Sequence, residues 1–82
     1  MPRYFLQLRD HTEETLDPEG SELETVDALK AYLLTVVRDL ISADVKNGVI
    51  DLRFRVDAED VDGAIIHTLP FGQSVNIITE EA

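Results

Sequence analysis

Apolar and polar residues alternate from the start of the chain. Over residues 2–9, Tyr4, Leu6 and Leu8 fall on one side and Arg3, Phe5, Gln7 and Arg9 on the other, the period of a half-buried strand. The polar run His11 to Pro18 contains Glu13-Glu14-Thr15-Leu16, which fits a short return strand. Asp17-Pro18-Glu19-Gly20 then fits a turn, because Pro presets φ and Gly accepts a positive one. The period changes after Thr25. Val26, Leu29, Leu33, Val36 and Leu40 recur at steps of three and four, one face of a helix. Thr25 is placed to cap its N-terminus and Asp27 to complement the positive end of its dipole. Lys46-Asn47-Gly48 supplies the stop, a cation and then a glycine for a left-handed cap. About 22 residues rising 1.5 Å each predict a rod of roughly 33 Å, long enough to cover a small sheet.

The second half reads as a hairpin. Leu52, Phe54, Val56 and Ala58 alternate with Arg53, Arg55 and Asp57, and Asp62-Gly63 marks the turn. A loop of about two or four residues brings Ile65, His67, Leu69 and Phe71 to the face of Leu52, Phe54 and Val56, whereas an odd loop would bring Ile66, Thr68 and Pro70 there. Pro70 and Gly72 break the strand. The pattern assigns no structure to the apolar tail Val75-Asn76-Ile77-Ile78.

Hairpin, long helix, hairpin predicts an α+β fold: a small antiparallel sheet with one helix packed across one face, in a single domain spanning 1–82. The expected core joins Val26, Leu29, Leu33, Val36, Val37 and Leu40 to Leu6, Leu8, Leu52, Phe54, Val56 and Leu69. Leu34, Ile41 and Val45 lie about 80–120° further round the helix and form a second apolar strip. Either the tail residues Val75, Ile77 and Ile78 or a second copy is expected to cover it, so the chain is expected to be a monomer or a weak homodimer.

Composition narrows the function classes. The 82 residues carry 7 Lys and Arg against 17 Asp and Glu, a formal net charge of −10. A chain of this length has one thin core and no room for a cleft between subdomains. It has no Cys, which excludes disulfides, thiol catalysis and thiolate-bound zinc. Neither a secretory leader nor a membrane span is expected, since charged residues interrupt every apolar run, and a cytoplasmic location follows as the expectation.

The opening Met1-Pro2-Arg3-Tyr4-Phe5, the box Asp17-x-Glu19-Gly20-x-Glu22-Leu23 before the helix and Leu69-Pro70-Phe71 after the turn resemble an uncharacterised bacterial family of short proteins, classed as a domain of unknown function. The resemblance covers nearly the whole chain. It implies the fold and a bacterial origin, and no activity.

Several groups of residues are weighed as candidates for chemistry. Asp57, Glu59, Asp60 and Asp62, with His67 nearby, suggest a metal-dependent site at the hairpin tip. Setting Gly63 as the glycine of a calcium loop, however, puts Ala58 and Leu69 at two ligand positions. From Asp10 to Asp27 the chain has eight acids and no Lys or Arg, a solvated acidic segment suited to steering a basic protein partner. The histidines, His11 in a loop and His67 facing inward, lack the partners for a zinc set. Ser21, Ser42 and Ser74 lack a nucleophile elbow, and the four glycines are too scattered for a phosphate loop. Arg3, Arg9, Arg53 and Arg55 fall beside Phe5 on outward strand positions, as in sheets that bind single-stranded nucleic acid. The net charge opposes that reading, and cross-strand pairing with acids accounts for the same arginines. The expectation is therefore a small acidic interaction module with no catalytic activity and no cofactor. Its candidate surfaces are Arg3, Phe5, Arg9, Arg53 and Arg55 on the sheet and Leu34, Ile41 and Val45 on the helix.

Overall fold

The computed structural model describes residues 1–80. Strand β1 (Arg3–Arg9) is followed by two short strands, β2 (Glu14–Thr15) and β3 (Ser21–Glu22), then helix α1 (Val26–Lys46), strands β4 (Arg55–Glu59) and β5 (Ile65–Pro70), and a single turn of helix, α2 (Phe71–Ser74). The sheet is antiparallel in the order β2-β1-β4-β5, and β3 also pairs with β1. The fold is α+β, with both helices packed on one face of the sheet.

Local signals set the helix ends. The Ala28 N–H donates to Thr25 Oγ1 at 3.0 Å, Asp27 sits in the first turn and Lys46 in the last, and Gly48 takes φ 85° just beyond the end. The helix buries Leu29, Leu33, Val37 and Ile41, a ridge of residues four apart, against Tyr4, Val56, Ala58 and Phe71. Leu6, Leu8, Leu23, Leu40, Phe54, Leu69 and Val75 complete the core as partly buried neighbours.

Three expectations from the pattern are corrected. Val26 is 45% exposed rather than in the core, because an i, i+4 ridge runs obliquely to the helix axis and carries the contact toward Ile41 by the far end. The same drift buries Ile41, leaves Leu34 half-buried and exposes Val45, so these three do not form a continuous outer strip. The tail covers less than expected: Val75 packs on the core, but Ile77 and Ile78 are exposed. Instead α2 lies against α1, with buried Phe71 and Ser74, and Arg38 Nε donates to the Ser74 carbonyl at 2.9 Å.

The β4–β5 hairpin is also shorter than its alternation suggests. Asp51 captures Arg53 through its backbone N–H and its guanidinium, so the chain turns at 52–53 and Leu52 is exposed. Val56 pairs with Leu69 and Ala58 with His67, as expected for the core face. Beyond them the register slips, Glu59 opposing Ile65, so Ile66 is an extra residue and Ile65 faces solvent. Asp60 organises the turn, its Oδ1 accepting from the N–H groups of Asp62 and Ala64, and Gly63 takes φ 83°.

Candidate functional site: the open face of the sheet

The face turned away from the helices carries Phe5, Gln7 and Arg9 on β1, Arg55, Asp57 and Glu59 on β4, and Thr68 on β5. Register makes them neighbours, because Gln7 pairs with Asp57 and Asp57 with Thr68. Asp57 is at the centre and only 1% exposed. Its Oδ1 accepts from Thr68 Oγ1 at 2.8 Å, its Oδ2 from Arg9 Nη1 at 3.0 Å, and both oxygens from Arg55 Nε at 3.3 Å. Arg9 also donates from Nη1 to Glu59 Oε2 at 2.6 Å and from Nε to Glu14 Oε2 at 2.9 Å. One guanidinium thus ties together β1, β2 and β4.

The electrostatics follow from these contacts. Burial alone would raise the Asp57 carboxyl, but the Thr68 hydroxyl, the Arg9 hydrogen bond and the charge of Arg55 outweigh it and hold the group below the usual aspartate range. Bonds to Glu59, Glu14 and Asp57 raise Arg9 above the ordinary arginine value. A carboxylate held ionised by two arginines is a poor general acid at neutral pH, and none of its hydrogen bonds comes from a histidine.

The other sequence candidates separate in space. Arg3 is exposed and bonded to the Glu19 carbonyl and to Glu22 Oε1. Arg53 lies outside β4 on Asp51, whose carboxyl it holds down at about 2. So Arg3, Arg9, Arg53 and Arg55 each have an acidic partner within the chain, and the open face is a charge-paired surface rather than a basic one. The acids of the hairpin divide likewise: Asp57 and Glu59 turn to Arg9, Asp60 holds its turn, and Asp62 is exposed. Among the described residues no three His, Asp or Glu side chains gather as a group that could hold a metal ion. His67 is half-buried on β5 and His11 is exposed in its loop. Gln7 and Thr68 escaped the sequence reading. Their signal was parity: both fall on outward positions opposite Asp57.

The acid-glycine box has a structural role of its own. Between β2 and β3 the chain bulges away from β1, leaving the Leu6 N–H without a backbone partner. Asp17 fills the gap: its Oδ2 accepts from Leu6 N–H at 3.2 Å and its Oδ1 from the N–H groups of Glu19 and Gly20. The Asp17 N–H in turn donates to Gln7 Oε1 at 2.7 Å, which fixes the loop over the open face. Gly20 takes φ 74°, and a Cβ there would lie 2.8 Å from the Tyr4 carbonyl oxygen and 2.9 Å from the Phe5 ring. Asp10 works in the same way one loop earlier, its Oδ1 accepting from the N–H groups of Thr12 and Glu13.

The family model described as a domain of unknown function (DUF6894) matches residues 3–72. No curated protein and no solved structure matches the chain.

Proposed function

Because the chain belongs to the family described as a domain of unknown function (DUF6894), no activity is carried over to it, and we propose a role from its own surface: a small, non-catalytic interaction module that docks on a basic protein partner. One observation carries this reading. Four of the seven cationic side chains are engaged by acids of the same chain, while Glu13, Glu19, Glu24 and Asp27 stay exposed around the loop and the helix start. The field reaching solvent is therefore negative, and such a field steers cationic partners and repels nucleic acid. The arginines proposed for a single strand are paired, which favours the protein partner over the nucleic acid. No described helix is long and apolar enough to cross a membrane; the reading takes as its setting the bacterial origin that the family resemblance implies and the cytoplasm expected from the interrupted apolar runs of the sequence.

The test is retention of partners from a bacterial lysate by the immobilised chain and by a variant with Glu13, Glu19, Glu24 and Asp27 changed to Lys. The expected result is a protein that binds the native chain at low salt, is released as salt rises toward ~0.5 M, and does not bind the variant. Equal retention by both chains, or none at low ionic strength, overturns the reading.

A further inference from the structure

Asn47-Gly48 closes helix α1 and is also a chemically reactive pair. An asparagine amide followed by glycine is open to attack by the next backbone nitrogen, because glycine has no Cβ to crowd the approach and turns freely. Both residues are exposed, and a Cβ at Gly48 would meet nothing within 4 Å, so no neighbouring segment shields the pair. The second asparagine, Asn76, is exposed too, but Ile77 follows it, and a branched side chain there crowds the attacking nitrogen.

The helix end holds the pair back. The Gly48 N–H, whose nitrogen is the nucleophile, donates to the Val45 carbonyl at 3.0 Å, and the Val49 N–H donates to the Asp44 carbonyl at 3.2 Å. Asn47 sits at φ −89° and ψ −3°, which sets the Gly48 nitrogen beside the Asn47 nitrogen and away from Cβ. Closing a five-membered ring needs ψ to turn by about 120°, as the tetrahedral Cα dictates. That turn breaks the Val45 bond. Reaction therefore waits on fraying of the last turn, where backbone bonds open most easily.

We propose that Asn47 is a site of spontaneous deamidation, gated by opening of the last turn of α1. The Gly48 nitrogen bonds to Asn47 Cγ and loses its proton to solvent. The Cγ–Nδ2 bond breaks, and the departing nitrogen takes up a proton and leaves as ammonia. Water then opens the succinimide, at Cγ to give aspartate or at the backbone carbonyl to give isoaspartate. Either product places a new negative charge at the negative end of the helix dipole. Isoaspartate also inserts a methylene into the main chain inside both capping turns, so the cap does not re-form and the segment leading to β4 loosens. The chemistry is independent of the acidic surface and its partner.

The test is incubation of the full chain at mildly alkaline pH, folded and in urea. Peptide mass spectrometry and enzymatic isoaspartate methylation map the products, and hydrogen exchange follows the Gly48 amide. Conversion is expected at Asn47 in the folded chain while Asn76 stays intact. Its rate should lie about three- to a hundredfold below that in urea, the range of local fraying rather than global unfolding. Protection of the Gly48 amide should match that factor to within about threefold, since both read the same opening. Asn47→Gln, which keeps an amide but needs a larger ring, should abolish the reaction. The converted fraction, separated by its extra charge, should exchange the Gly48 and Val49 amides faster, with Val56 unchanged. Conversion of Asn76 as fast as Asn47, a rate outside that range on either side, or a slowing that Gly48 protection does not match overturns the proposal.

Discussion

The Arg9 guanidinium donates to the Asp57 carboxylate, Nη1 to Oδ2 at 3.0 Å, across 48 positions of sequence and at a carboxylate that solvent barely reaches. Removing one member of a buried pair leaves the other's polar groups without a partner, which is costlier than the pair is worth. Arg9 retains Glu14 and Glu59, so Asp57→Ala is expected to lower stability by about 2–4 kcal/mol, below the upper end for an isolated pair. Urea unfolding followed by circular dichroism measures it. A loss under about 0.5 kcal/mol, the range of an ordinary surface change, would mean the cluster is not holding the strands.

The same carboxylate sets an acid limit. The Asp57 pKa is lowered in the fold, so its folded value lies below the unfolded one near 3.9. Such a group contributes stability fully above the unfolded value, and that contribution is lost as pH falls through the folded one. The urea midpoint is expected to be flat from about pH 7 to 5 with respect to this group and to fall below about pH 4. Asp57→Asn should flatten that acid limb.

Gly20 and Gly63 make a matched pair. Both have positive φ, 74° and 83°, but a Cβ at Gly63 meets nothing within 4 Å, whereas at Gly20 it strikes the Tyr4 carbonyl oxygen. Gly63→Ala is expected to cost about 1–2 kcal/mol, the left-handed penalty alone. Gly20→Ala should cost at least about 2 kcal/mol more, because backbone must move. Thermal midpoints of the two variants decide it, and equal midpoints would contradict the close approach.

The oblique helix contact predicts a gradient along the helix. Leu33 is fully buried and Val26 nearly half exposed. Leu33→Ala should cost about 2–5 kcal/mol, and Val26→Ala under about 1 kcal/mol.

The C-terminal segment divides at Val75. Phe71 is buried, 5.9 Å from the Phe54 ring, and Phe71→Ala should cost about 3–5 kcal/mol. Ile78 is 87% exposed, and Ile78→Ser should fall within about 0.5 kcal/mol of the native chain. Denaturant titration of both checks the boundary.

These contrasts mark what was legible in the sequence. β1, the helix and its caps were readable because their causes are local: alternation around Leu6, the Thr25 hydroxyl, and Gly48 after Lys46. The face of the helix was readable only to within a turn of the screw, since the crossing of helix and sheet decides whether Val26 or Ile41 is inside. Leu52 continued the alternation of β4, yet Asp51 bent the chain before it could pair. The open face was readable least. Arg9 looked available beside Phe5 until the register of strands distant in sequence set Glu14, Asp57 and Glu59 around it.

The bridge made by Asp17 constrains how this edge can change by insertion. Thr15 pairs with Leu8 and Ser21 with Tyr4, so six steps on the outer chain accompany four on β1, an excess of two. The intervening residues lie outside the strands and turn through Gly20 at positive φ, so pairing with β1 at each end, rather than the parity of the loop, sets which side Ser21 and Glu22 face. An insertion between Thr15 and Ser21 is therefore expected to be absorbed in the loop, at the expense of the Asp17 contact with the Leu6 N–H, with Ser21 still opposite Tyr4.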